Sequence, residues 1–133
     1  MDPDAGDLKN GTVVIEDGKI TEIGEKTSES ADTVIDAKHS VVMPGLVNTH
    51  THAAMTLFRG YADDLQLADW LEGHIWPAEA KLTADDVYKG SLLACLEMIR
   101  SGTTSFADMY FYMDETAKAV EASGFGPRFV MGL

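Results

Sequence analysis

From Pro44 onward, short apolar runs alternate with helical stretches, and that order leaves few folds open. "GLVNTH" is an apolar run bounded by Pro-Gly, the form expected of a strand buried on both faces. "LQLADWLEGHI" has helical spacing that sets Leu67, Leu71 and His74 or Ile75 on one side. A second helix is signalled by Thr83 with Asp86 three residues on, a variant of the capping box. Val87, Leu92, Leu96 and Ile99 supply its apolar stripe, and Ser101-Gly102 its end. "TTSFADMY" alternates as a strand, Asp114 is placed to cap a helix running to about Ser123-Gly124, and "RFVMG" reads as a further strand. Strand, helix, strand, helix, strand implies an α/β fold with a parallel sheet and helical crossovers.

The part before Pro44 has another period. Val13 to Glu16 and Lys19 to Ile23 are β-prone, and Asp17-Gly18 between them is a strong two-residue turn signal, so a hairpin is expected. "TVIDAKHSVVMP" adds two short strands around a turn from Asp36 to Ser40. Residues 1–43 therefore read as a small meander-like β unit, and residues 44–133 as the α/β part.

The formal net charge is −12, with acids outnumbering bases on both sides of Pro44. A field of that sign repels phosphate backbones and anionic lipid, which argues against nucleic acid and membrane partners. No apolar run approaches the roughly 20 residues needed to span a bilayer, and the start lacks a signal-peptide pattern. The single Cys95 excludes an internal disulfide and fits a reducing, cytoplasmic setting.

"MPGLVNTHTHAAM" places His50 and His52 at the C-terminal end of the first strand of the parallel series, where α/β folds build active sites. On a strand, residues i and i+2 share a face and lie about 6.6 Å apart along it. Two imidazoles so placed can converge on one ion at about 2.0–2.1 Å from each nitrogen. A satisfied core histidine beside a loop histidine is the plainer alternative; metal ligation explains the pair and its location together. H-E-x-x-H is absent, one cysteine rules out P-C-x-x-C, and neither a Gly-rich phosphate loop nor a G-x-S-x-G elbow appears. Any further ligands must come from elsewhere.

The blocks "VVMPGLVNTHTHAAMTLFRGYADDL", "IWPAEAKLT" and "LLACLEMIRSGTTSFADMY" resemble, in order, the N-terminal part of the amidohydrolase superfamily. Within it they resemble the 5′-methylthioadenosine/S-adenosylhomocysteine deaminase branch, which also includes s-triazine hydrolases. The resemblance implies the first part of a (β/α)8 TIM-type barrel, preceded by part of a small β-sandwich domain in residues 1–43. It implies a divalent metal, usually zinc, with His50 and His52 matching the His-x-His ligands on barrel strand 1. Glu79 matches the glutamate that binds the ribose hydroxyls of a nucleoside. The implied reaction is hydrolytic deamination of adenosine-type nucleosides, in which metal-activated water attacks C6 of the ring and ammonia leaves.

Such a barrel takes about 250 residues, so residues 44–133 cover roughly three strands. The remaining ligands and acid–base groups of the family pattern fall beyond Leu133, no catalytic acid or base is assigned here, and the chain reads as a fragment. Self-association, or the remainder of the barrel, is the expected partner of its open sheet. Two other function classes stand beside the deaminase. An s-triazine or guanine-type hydrolase would share the fold, though Glu79 speaks against a triazine, which has no diol. A short metal- or partner-binding protein would need no catalysis. Trp70 and Trp76 could pack on a purine or simply on the protein. Asp108 reads as a structural acceptor, His39 and His74 as surface residues, and Cys95 with Met98 as core.

Overall fold

The structure is a computed structural model that describes residues 6–26, 30–125 and, for the backbone alone, 129–131. Two compact units divide between Pro44 and Gly45. The first holds a hairpin, β1 (Thr12–Glu16) against β2 (Lys19–Gly24), with Glu16 opposite Lys19. Asp17 and Gly18 both have positive φ, 48° and 73°, as a turn that follows strand twist requires. The register shifts at Val14/Ile15, the mark of a β-bulge.

The two further strands expected in 33–44 are not formed. Their turn is: Ser40 N–H donates to the Ala37 carbonyl (3.0 Å), and Lys38 N–H to Asp36 Oδ1 (3.0 Å). The flanking Val34, Ile35, Val41 and Val42 are exposed, and no strand among the described residues pairs with them. β-propensity expresses packing against neighbours, and without neighbours it forms no ladder.

The second unit carries the parallel sheet, in the order β3 (Leu46–Thr51), β4 (Thr103–Asp108), β5 (Phe129–Met131). Both pairings are parallel, as the strand–helix alternation implies. Contrary to expectation, β3 is not buried on both faces: Leu46 and Val47 are exposed, because only β4 flanks it among the described residues. A 3-10 helix (Ala53–Phe58) follows β3 directly.

The next helical stretch is not one regular amphipathic helix. It runs as α1 (Leu67–Trp70), a π turn (Leu71–Ile75) and α2 (Trp76–Glu79). Pro77 has no N–H to give and its ring crowds the carbonyl four residues back, so the ladder widens upstream. Ile75 is buried while Leu67 is exposed, so Leu67 does not share the inner side assigned to it.

The helix α3 (Ala84–Arg100) begins as the sequence signals. Thr83 Oγ1 accepts from Asp86 N–H (3.3 Å), and Thr83 N–H donates to Asp86 Oδ2 (2.9 Å). The Thr83 hydroxyl, which donates to Asp86 Oδ2 (2.6 Å), and the Thr83 N–H together hold the Asp86 carboxyl below the usual range. Its buried face differs from the expected stripe. Val87, Gly90, Ser91, Ala94, Cys95 and Met98 point inward, while Leu96 and Ile99 are exposed. Small residues face in because the 3-10 helix lies close: a Cβ on Gly90 would sit 2.7 Å from the Ala54 carbonyl oxygen. Thr56 Oγ1 closes the contact by donating to the Gly90 carbonyl at 2.7 Å. The bidentate Arg59–Glu97 pair (2.8 and 2.7 Å) joins the same elements at the surface, where solvent screens it.

The core gathers Ala53, Ala94, Cys95, Met98, Phe106, Val120 and Phe125, with Phe106 and Phe125 edge to face at 5.2 Å. Ser91 and Thr116 share a buried hydroxyl hydrogen bond (3.1 Å) between α3 and α4 (Met113–Ser123). Tyr112, in left-handed conformation, occupies the N-cap of α4 without a side-chain bond. Asp114 lies inside the first turn instead, where a carboxylate interacts favourably with the helix dipole. Among the described residues no helix is long and apolar enough to cross a membrane.

The close approach at Gly90 makes a direct prediction. In the full-length protein Gly90→Ala should cost about 1–3 kcal/mol through overpacking. Gly73→Ala, whose Cβ would meet nothing within 4 Å, should be neutral or stabilising. Chemical unfolding of the two variants side by side measures the difference, and equal midpoints would contradict the packing account.

Candidate functional site

The sheet's C-terminal edge brings together residues from β3, β4 and the α2 segment. The His50 and His52 rings lie 5.2 Å apart between centroids at 75°, so the i, i+2 spacing does place both imidazoles on one side. Asn48 Oδ1 accepts from the His50 N–H (3.2 Å). His52 lies one residue past β3, and its carbonyl accepts from Met55 N–H (2.8 Å) in the first turn of the 3-10 helix.

His52 Nδ1 is 2.6 Å from the Met109 carbonyl. A carbonyl only accepts, so Nδ1 is the donor in this contact, and in the neutral imidazole that leaves the lone pair on Nε2. This is the arrangement by which backbone carbonyls orient metal-binding imidazoles. Two imidazoles on one face suit a divalent ion of zinc's kind. Among the described residues, no group of three or more His, Cys, Asp and Glu side chains stands ready to hold a metal.

Asp108 ends β4 directly behind this edge and is 2% exposed. Its Oδ1 accepts from the N–H groups of Ala53 (3.2 Å) and Met109 (2.9 Å), the residue that follows His52 and the residue whose carbonyl accepts the His52 hydrogen bond. The structural-acceptor reading of Asp108 therefore holds in this geometry. Its Oδ2 has no hydrogen-bond partner among the described residues, and burial raises the carboxyl above the usual aspartate range.

Glu79, at the end of α2, reaches the same edge. Tyr110 Oη donates to Glu79 Oε1 at 2.8 Å, and the Tyr110 ring lies 6.1 Å from that of His52. Burial pushes the Tyr110 phenol up, and the Glu79 acceptor pushes it further, so it stays a donor. Tyr110 and the Met109 carbonyl were not singled out by the sequence reading. The available signal was positional: residues just past a parallel strand line the face where sites form.

The other candidates have surroundings of their own. Trp70 Nε1 donates to the Tyr61 carbonyl (3.4 Å) and Trp76 is exposed. His74 is half-buried with its ring edge-on to Tyr61 at 6.2 Å, and His39 sits in the turn before Ser40 with φ 64°. Cys95 is buried and its thiol pushed up by burial, which fits a core residue.

Residues 41–132 match the model of the amidohydrolase family. The chain belongs to that family. A 5′-deoxyadenosine deaminase of Methanosarcina barkeri is 93% identical to this amidohydrolase chain over all of its 133 residues. A 5-methylthioadenosine/S-adenosylhomocysteine deaminase of Dictyoglomus turgidum is 59% identical over 95% of it. Among solved structures, an adenosine deaminase from Xanthomonas campestris with bound zinc matches 91% of the chain at TM-score 0.75 and 37% identity. An atrazine chlorohydrolase from Arthrobacter aurescens complexed with zinc matches 98% at TM-score 0.73 and 23% identity, a likeness of fold. The chain spans only 31% of the Methanosarcina barkeri relative and 29% of the Xanthomonas campestris one.

The pinning by Asp108 is testable in the full-length amidohydrolase. Asp108→Ala leaves the buried Ala53 N–H unpaired, which should cost about 1–3 kcal/mol. Asp108→Asn, which keeps an acceptor at Oδ1, should lose less. Equal unfolding midpoints for the two variants would remove Asp108 from the support of His52.

Proposed function

We propose that these residues serve a metal-dependent hydrolase that deaminates adenosine-type nucleosides, and that they form the first strands of its (β/α)8 barrel. The observation that carries the reading is the shared edge: a paired His50 and His52 with Nε2 of His52 freed, and a Glu79 carboxylate tied to the same edge through Tyr110. Deaminases of 5′-deoxyadenosine and of 5-methylthioadenosine and S-adenosylhomocysteine among the relatives support the substrate class. The zinc in the 37% identical adenosine deaminase structure supports the metal.

His50 and His52 would hold the ion as neutral imidazoles. A bound divalent metal supplies Lewis-acid polarisation and lowers the pKa of water toward about 7. Glu79 would accept hydrogen bonds from the two ribose hydroxyls, since an ionised carboxylate offers only acceptors, on two oxygens. The groups that move protons at the ring are not assigned to this chain.

In the full-length protein, His50→Ala and His52→Ala should each lose bound metal, measured by elemental analysis, together with turnover. Full metal content in either variant refutes the ligand assignment. Glu79→Ala should keep its metal while kcat/KM for adenosine-type substrates falls. The loss of a hydrogen bond to a charged group, about 1.5–3 kcal/mol, corresponds to roughly 10- to 150-fold. Unchanged nucleoside kinetics would sink the diol role and leave an s-triazine or other ring substrate as the better class.

We further propose that the sheet's partner is the remainder of the barrel, replaced by other copies when residues 1–133 are made alone. Outside β3 no strand pairs among the described residues, and Leu46, Val47, Leu96 and Ile99 are exposed. An open edge beside apolar surface recruits other chains. Size exclusion with light scattering should show association, whereas a monodisperse monomer with a cooperative thermal transition would contradict it.

A further inference from the structure

We propose that Tyr110 is a positioning residue for the substrate-binding carboxylate: its hydroxyl holds Glu79 at a set distance from the histidine pair, so that nucleosides carrying both ribose hydroxyls are preferred. This rests on the reading of Glu79 as the diol acceptor.

Two consecutive residues past the end of β4 grip the two halves of the site. The Met109 carbonyl accepts a hydrogen bond from His52 Nδ1 at 2.6 Å, and Tyr110 donates to Glu79 Oε1 at 2.8 Å. The Tyr110 ring also lies 6.1 Å from His52, inclined at 37°, and its backbone N–H is 3.2 Å from Met113 Sδ at the start of α4. Tyr110 is thus fixed at its backbone, ring and hydroxyl by three separate elements. Glu79 follows an irregular segment, α1, the π turn and α2, and its long side chain has several rotamers of its own. Both residues are half-buried, so water competes only in part for their hydrogen bond.

The chemistry of the bond suits a positioning role. An ionised carboxylate has about four acceptor sites, and the phenol uses one of them on Oε1. Oε2 and the second lone pair of Oε1 remain for two vicinal hydroxyls. A carboxylate ordered before substrate arrives need not lose that freedom on binding, which improves affinity without any new contact to the ligand. The gain is confined to ligands that use the carboxylate. Tyr110 touches no reacting atom in this arrangement, so its effect belongs in KM and in discrimination between sugars.

The test uses the full-length protein with its metal, and compares adenosine with 2′,3′-dideoxyadenosine. Tyr110→Phe keeps the ring beside His52 and removes only the hydroxyl. The expected result is a KM for adenosine raised about 3- to 10-fold, the size of one side chain ordered on binding, with kcat within about twofold. The preference for adenosine over its dideoxy analogue should fall by the same factor. Equilibrium binding of inosine against 2′,3′-dideoxyinosine should show the same loss, independent of turnover. Tyr110→Leu, a second variant without the hydroxyl, should give the same pattern, and neither change should add to Glu79→Ala in the double variant.

If Glu79→Ala lowers the preference for the diol and both Tyr110 variants leave it intact, the Tyr110 proposal is overturned and the reading of Glu79 stands. A fall for both sugars alike in the Tyr110 variants also overturns it, in favour of ring packing. If Glu79→Ala itself does not discriminate between the two sugars, the diol reading fails and takes the proposal with it.

Discussion

The hydrogen bond from His52 Nδ1 to the Met109 carbonyl ties the end of one parallel strand to the end of the next. Around it the rest of the site is arranged. Asp108, one residue earlier, anchors the N–H groups of both Ala53 and Met109 through a single oxygen. Tyr110, one residue later, carries the link on to Glu79. Three consecutive residues therefore engage the His52 ring, the start of the 3-10 helix and the Glu79 carboxylate.

That tie depends on packing well below the edge. Ala53 and Ala54 are buried because Gly90 lets α3 approach the 3-10 helix within backbone contact. The middle of the inner face of α3 is accordingly built from the small residues Gly90, Ser91, Ala94 and Cys95, and Leu96 and Ile99 are exposed. A helix that presented those side chains inward would stand farther from the sheet, and the 3-10 helix that follows His52 would shift with it. Dense packing transmits such displacements with little loss.

Polar burial at Asp108 has an energetic cost that the site retains. One oxygen is satisfied twice, whereas the other, on a nearly inaccessible side chain, has no partner among the described residues. Burial favours the neutral carboxylic acid, and the two backbone N–H bonds oppose that shift. An apolar side chain there would relieve the desolvation, but it would take away the acceptor of the buried Ala53 N–H and leave the Met109 N–H only its long contact to the Thr51 carbonyl (3.4 Å). Local order at His52 and Met109 is the counterpart of that cost.

Local chemistry in the sequence determined the hairpin turn at Asp17-Gly18, the capping box at Thr83 and Asp86, the alternation that makes the sheet parallel, and the i, i+2 histidines at a strand end. Each of these depends on residues within a few positions of one another, so composition and spacing suffice to read them. Tertiary structure decided the rest. It left 33–44 without strands because Val34, Ile35, Val41 and Val42 find no strand partner among the described residues. It exposed Leu46 and Val47 where a strand covered on both faces was expected, and it chose the small-residue face of α3 over the aliphatic one. The bonds from Asp108 to Ala53, from His52 to Met109 and from Tyr110 to Glu79 join residues 31 to 57 positions apart. No local pattern encodes such pairs, since they form only when the crossover helices bring one end of the sheet together.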